Sequence, residues 1–369
     1  MDTRQKLVFT FFCYSILFLL SGNIGVDGSS SSSQHHRRHH HHARRHLFNH
    51  KPSKLFVFGD SYADTGNNRK SLGNSWNIPY GITFPGKPAG RYSDGRVLTD
   101  FLARFIGTRS PIAYRWRKLG IKLLKYGVNF AFGGTGVFDT PAPYPNMTTQ
   151  IDFFEEMIKL KIFSPMDLKD SAALVSVVGN DYAAFVARNS SIPALEEFIS
   201  QVINQISLNL KRISDLGVKR IAVTSLQPLG CLPRSTVESS FRQCNDTDNL
   251  LVEVHNSFLQ QAVTNLKADS NTTTIVILDL YSAFLSVLKN KGDHPEISKF
   301  TTPLRPCCIG VSTESSCGSV DANGTKLYRV CRNPEFAFFW DFYHPTQAGW
   351  QAVYTTLKSN FHQLEGKIH

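Results

Sequence analysis

Five short apolar runs constrain this chain most: "KLFVF" (54–58), "YGVNFA" (126–131), "AALVSVV" (172–178), "KRIAVTSL" (219–226) and "TTIVILDL" (273–280). Each is rich in β-branched or aromatic residues and lacks the polar alternation of a half-exposed strand. That is the pattern of parallel strands covered on both faces. Between and after them lie segments with apolar residues at helical spacing: "DGRVLTDFLARFIG", "IDFFEEMIKLKIF", "IPALEEFISQVINQISLNLKRISDLG", "NLLVEVHNSFLQQAVTNLK" and "HPTQAGWQAVYTTLKSNF". Gly217 is a fitting stop for the third of these, and Pro345 falls in the first turn of the last. Strands alternating with helices predict an α/β fold with a five-stranded parallel sheet between helix layers. In such a sheet the loops leaving the carboxyl ends of the strands build the site.

Those loops carry polar and small residues. The first run ends on Gly59-Asp60-Ser61, the second on Gly133-Gly134-Thr135-Gly136, the third on Gly179-Asn180-Asp181 and the fourth on Gln227-Pro228-Leu229-Gly230-Cys231. Taken singly these are turn residues. Taken together they offer a hydroxyl nucleophile and donors for an oxyanion. A nucleophilic serine needs a base, and the base needs a group that fixes its tautomer. Eight of the 13 histidines precede Lys51, His255 lies on an amphipathic helix, His294 in a polar loop, and His362 and His369 at the carboxyl end. His344 alone sits at a turn entering a helix, three residues after Asp341. By spacing alone Asp341 is either the partner of His344 or a helix cap. The expected oxyanion donors are the Ser61 N–H, a glycine N–H after the second run and the Asn180 side chain.

These blocks resemble the GDSL (SGNH) family of serine esterases and lipases, in its large plant branch. "FGDSYADTGNN" is similar to the first block, "GVNFAFGGTG" to the second, "VVGNDY" to the third and "WDFYHPT" to the last. "PLGCLP", the "PYG…FPGKPAGRYSDGR" run and the "CC…C…C" pattern also resemble that branch. The match covers roughly residues 54 to 361. It implies a flavodoxin-like three-layer α/β/α sandwich, with Ser61 as nucleophile, His344 as base, Asp341 as its partner, and Gly134 and Asn180 in the oxyanion hole. It implies no metal and no organic cofactor. The chain departs from the family pattern at Tyr62 (GDSY for GDSL), at Val178, where glycine is usual, and at Phe132, where serine is usual. No G-x-S-x-G elbow occurs. Asp64 and Asn67 read as loop-ordering hydrogen bonders.

The remaining features bear on location and partners. "LVFTFFCYSILFLL" (7–20), behind Arg4 and Lys6, is 14 residues long, short of the roughly 20 needed to span a membrane. It fits a signal peptide, placed at residues 1–28, with an uncleaved anchor as the alternative. Residues 29–53 are Ser-, His- and Arg-rich and read as a disordered linker, with metal or anionic-surface binding as the alternative. Residues 54–369 form the expected hydrolase domain. Cys13 falls in the signal segment; Cys231, Cys244, Cys307, Cys308, Cys317 and Cys331 remain, an even set that reads as disulfides, with zinc the alternative. Short separation pairs Cys231 with Cys244 and leaves two bridges among the last four. Sequons at Asn146, Asn189, Asn245, Asn271 and Asn323 add to a secretory reading, extracellular or in the cell wall.

Net charge is +11; without the six basic and two acidic residues of the first 50, it is 34 against 27, or +7. The charges are scattered. They suggest affinity for acidic surfaces such as polyanionic polysaccharide, and no nucleic-acid motif accompanies them. The expected partner is a small-molecule, lipid or polysaccharide ester, with no stable membrane span after signal cleavage. Hydrolysis is the expected reaction; acyl transfer to an alcohol by the same residues, or a silent wall- or glycan-binding protein, are the alternatives.

Overall fold

The strand–helix alternation is present, with one strand more in the main sheet than expected. A computed structural model describes residues 51–188, 192–269, 272–289 and 294–365. The expected signal peptide and residues 29–50 of the linker lie outside these. The main sheet runs in the order β2-β3-β1-β4-β5-β6. Its strands are β1 (Lys54–Gly59), β2 (Ile112–Ala113), β3 (Gly127–Asn129), β4 (Ser171–Ser176), β5 (Arg220–Thr224) and β6 (Thr274–Leu278), all parallel. The sixth strand is β2, whose Ile112 and Ala113 pair with Val128 and Asn129. Two residues carry no period, so the sequence does not announce it. Without that edge the order is β3-β1-β4-β5-β6, the flavodoxin-like arrangement.

Beyond the first, the expected strands extend too far at their carboxyl ends. β3 stops at Asn129, although the Phe130 N–H still bonds the Val57 carbonyl; Val177 and Val178 lie beyond β4, and Asp279 caps the following helix. The apolar residues among these stay buried, so the pattern of burial runs on where the strand has stopped.

β1 is central, and Leu55 to Phe58 are fully buried. Leu55 and Val57 face a core shared with α1 (Leu98–Phe105), α6 (Leu280–Leu288), α7 (Gln347–Thr356) and α8 (Lys358–Gln363). Phe56 and Phe58 face the other way. Phe154 of α2 (Met147–Lys159) meets Phe56 at 4.5 Å between centroids, and Phe130 stacks on Phe58 at 5.3 Å. Burying each such ring contributes on the order of 2–3 kcal/mol. α2 packs beside α4 (Ile192–Asp215), and α4 beside α5 (Asp246–Asp269), giving the three layers. Gly217, at φ +114°, ends α4 as expected.

The cysteines form three disulfides: Cys231–Cys244, Cys307–Cys331 and Cys308–Cys317. The last two tie a small antiparallel ribbon, β7 (Cys308–Gly310) and β8 (Tyr328–Val330). Disulfide bonding disposes of the zinc alternative for these six. No described helix is long and apolar enough to cross a membrane.

Candidate active site

β1 delivers Ser61 through a turn only glycine can make. Gly59 has φ +139°, and a Cβ there would lie 1.9 Å from the Ser176 carbonyl oxygen. Gln150 of α2 clamps the strand end: Gly59 N–H donates to its Oε1 (2.8 Å), and its Nε2 donates to the Gly59 carbonyl (3.0 Å). The Asp60 N–H then bonds the Ser176 carbonyl, which leaves Ser61 at the mouth of the strand, 7 % exposed.

His344 meets Ser61 across 283 residues of sequence: Nε2 to Oγ is 2.9 Å. On its other side, Nδ1 lies 2.8 and 2.9 Å from Asp341 Oδ1 and Oδ2. Asp341 is held by its own turn, with Oδ1 accepting the N–H groups of Tyr343 (2.8 Å) and His344 (2.9 Å). It does not cap the helix. The cap of α7 is Thr346, whose hydroxyl accepts the Gly349 N–H, and Pro345 lies just outside the helix instead of in its first turn. Burial works to raise the Asp341 pKa, but the charge and hydrogen bond of His344, with donors from Tyr343 and Tyr80, hold it below the ordinary value. The carboxylate is therefore ionised beside the imidazole.

The expected oxyanion donors fall at the same end of the sheet. The backbone N–H groups of Ser61 and Gly134 have no acceptor among the described residues. Gly134 has φ +86°, and a Cβ there would sit 3.0 Å from Ala142 Cβ. Asn180 is different. It opens α3 (Asn180–Ala187), and its Nδ2 donates to the Thr135 carbonyl (2.9 Å) and to Asp60 Oδ2 (3.2 Å). Both its protons have protein acceptors, the Asp60 bond being the longer.

Several residues of the site escaped the sequence reading. Asp60 bonds three groups at once, taking the Tyr62 N–H (3.1 Å) on Oδ1 and the Val178 N–H (2.7 Å) on Oδ2 beside Asn180. Burial pushes it up to about 7 despite those donors. Tyr80 donates its hydroxyl to Asp341 Oδ2 at 2.7 Å. The Tyr92 ring lies 5.0 Å from the His344 ring, and its hydroxyl accepts Asn68 Nδ2. Both tyrosines lie in the PYG…GRYSDGR run, which is noticeable as a pattern but carries no role in the sequence alone. Asp64 and Asn67 order the loop as expected: Asp64 takes the Gly66, Asn67 and Gly133 N–H groups, and Asn67 Nδ2 donates to the Asn129 and Ala131 carbonyls. His255 is buried on α5 with Nδ1 2.6 Å from the Tyr182 hydroxyl. Among the described residues no group of three His, Cys, Asp or Glu is placed to hold a metal ion.

A serine hydroxyl, an imidazole and an ionised carboxylate in line, with free backbone donors alongside, can carry out nucleophilic attack on an acyl carbon. The profile of the GDSL-like lipase/acylhydrolase family matches residues 55–356. A GDSL esterase/lipase of Arabidopsis thaliana is 54 % identical over 363 residues, 98 % of each chain. Acetylajmalan esterase 2 of Rauvolfia serpentina is 30 % identical over 319 residues, covering 80 % of this chain and 86 % of its own. Among solved structures, an acetylxylan esterase of Geobacillus stearothermophilus aligns over 84 % of this chain and 94 % of its own, at 14 % identity and a TM-score of 0.37. With more than half of its length matched by the profile and with relatives this similar along the whole chain, the protein belongs to the GDSL-like lipase/acylhydrolase family of carboxylic ester hydrolases.

Proposed function

We propose that this protein is a secreted serine hydrolase of carboxylic esters, with Ser61, His344 and Asp341 as its catalytic triad. The observation that carries the reading is the unbroken chain Ser61 Oγ, His344 Nε2, His344 Nδ1, Asp341, with links of 2.9 and 2.8 Å. Ser61 Oγ attacks the ester carbonyl as His344 takes its proton. The Ser61 and Gly134 N–H groups bind the oxyanion, and Asn180 joins them by exchanging its long bond to Asp60 for one to the oxyanion. His344 returns the proton to the leaving alcohol, and the acyl group stays on Ser61. Water, deprotonated by His344, then attacks the acyl carbon, and the acid leaves as His344 passes that proton to Ser61 Oγ. Asp341 holds the tautomer and stabilises the imidazolium. Three disulfides behind an N-terminal apolar run support passage through the secretory pathway, with residues 1–28 removed and 54–369 as the hydrolase domain.

Ser61→Ala should lower turnover of p-nitrophenyl butyrate by about 10⁴-fold or more, as deletion of a triad nucleophile does, with an unchanged melting temperature. Turnover within tenfold of wild type would refute the assignment. Adding a saturating alcohol to the wild-type assay separates hydrolysis from transfer, free acid as the sole product supporting hydrolysis.

A further inference from the structure

The acid of the proposed triad is surrounded by parts of the chain to which ester hydrolysis assigns no task. Tyr80 is buried and lies with Cys307, Cys308, Cys317, Tyr328 and Trp340 in a cluster separate from the main core. The disulfide-tied ribbon touches both ends of the Tyr80–Asp341 hydrogen bond. On the acid's side, the Cys307 and Cys308 N–H groups donate to the carbonyls of Phe339 (3.0 Å) and Trp340 (2.6 Å), the two residues directly before Asp341. On the tyrosine's side, Gly318 lies against Tyr80: a Cβ there would be 3.6 Å from Tyr80 Cε2 and 3.4 Å from the Ile78 carbonyl oxygen. Asn74 Nδ2 also donates to Ser316 Oγ (3.3 Å), joining the ribbon to the loop that carries Tyr80. The Trp340 ring closes the gap, edge-on to Tyr80 at 6.0 Å.

We propose that the ribbon of residues 306–331 is a positioning device for the catalytic acid, and that Tyr80 is the positioning residue through which it acts. The proposal rests on the triad reading above. A carboxylate bonded only by its own turn and by His344 is free to rock about its Cβ–Cγ bond. Tyr80 commits the remaining lone pair of Oδ2 and fixes the plane of the carboxylate against the imidazole. Burial, and then the Asp341 charge, hold the Tyr80 hydroxyl well above its ordinary pKa, so it remains a donor. The titratable groups facing the Asp341–His344 pair are Tyr80 and Tyr62 on the acid, and Asp60 with the Tyr92, Tyr62 and Tyr343 rings on the imidazole. The disulfides thus act on the site through one hydrogen bond, beyond any contribution to stability.

The test compares Tyr80→Phe with the pair Cys308→Ser/Cys317→Ser and with Asn74→Ala, which loosens the ribbon contact while leaving the disulfides intact. Each is assayed on p-nitrophenyl butyrate from pH 4 to 9. Tyr80→Phe should lower kcat about tenfold, the worth of a hydrogen bond to a charged group, with KM within twofold. The acidic limb of kcat/KM should move to higher pH, because a carboxylate with one donor fewer holds the proton it shares with His344 more tightly. The cysteine pair and Asn74→Ala should move the limb the same way, by less. Combined with Tyr80→Phe they should move it no further, since all act through the same bond. A Tyr80→Phe enzyme with the wild-type limb and kcat overturns the role of Tyr80; shifts that add in full overturn the role of the ribbon. Should the cysteine variant fail to fold, Asn74→Ala alone decides the second point. If Ser61→Ala keeps its turnover, the triad reading has failed; if it is inactive and Tyr80→Phe keeps the wild-type limb and kcat, only the present proposal has.

Discussion

Gly134→Ala probes the oxyanion assignment at a single atom. The residue stands at φ +86°, where an alanine costs about 1–2 kcal/mol. The new Cβ would meet Ala142 Cβ at 3.0 Å, so one of the two segments must give by a few tenths of an ångström. The Thr140 hydroxyl ties its loop to the Gly134 carbonyl at 2.8 Å, so the displacement is passed to the residue whose N–H is the proposed donor. Loss of one oxyanion donor costs about 3 kcal/mol in the transition state, which corresponds to a kcat roughly 100-fold lower. The ground-state ester makes little use of that donor, so KM should stay within about threefold. Gly107→Ala is the control: Gly107 has φ +80° with nothing within 4 Å of where a Cβ would stand, so it suffers the same backbone strain away from the site. Both variants should lose similar stability in urea, and only Gly134→Ala should lose turnover of p-nitrophenyl butyrate. If Gly134→Ala keeps kcat within twofold of the Gly107→Ala enzyme, the donor assignment is wrong.

Two other outcomes concern the core. Burial pushes His255 down to about 3 from an ordinary 6.5. The unfolded chain therefore takes up a proton below about pH 6.5 that the fold refuses, and stability falls as pH drops from 6.5 toward 3, by up to about 1.4 kcal/mol per unit. His255→Phe should flatten that slope in urea melts at pH 7, 5.5 and 4; an unaltered slope would show that another group is responsible. Phe154→Ala empties the space between Phe56, Phe58 and Phe130 and should cost about 3–5 kcal/mol. Specific activity of the folded fraction should be unchanged at 25 °C, and a loss below 1 kcal/mol would mean that the layer re-closes around the gap.

Features written locally in the chain were legible without its fold. Uninterrupted apolar runs bury on both faces wherever they are placed, so five strands and the α/β class could be read directly. Gly59 and Ser61 stand two residues apart and His344 is the one histidine at a turn entering a helix, so the candidate nucleophile and base could be picked out from the chain. For Asp341 spacing left partner and cap both open, and the family resemblance supplied its expected role. Short separation likewise paired Cys231 with Cys244. Features that depend on partners far away in sequence were not legible. β2 is a strand only because β3 offers it a ladder. Asp341 is freed from capping because Thr346 does that work. Asn180 finds both its protons taken, by Asp60 120 residues away and by Thr135. Tyr80 reaches Asp341 across 261 residues. No periodicity or spacing encodes such contacts, because a hydrogen bond between distant segments depends on where the sheet and the disulfide-tied ribbon bring them, and each partner alone is an ordinary polar residue in a loop.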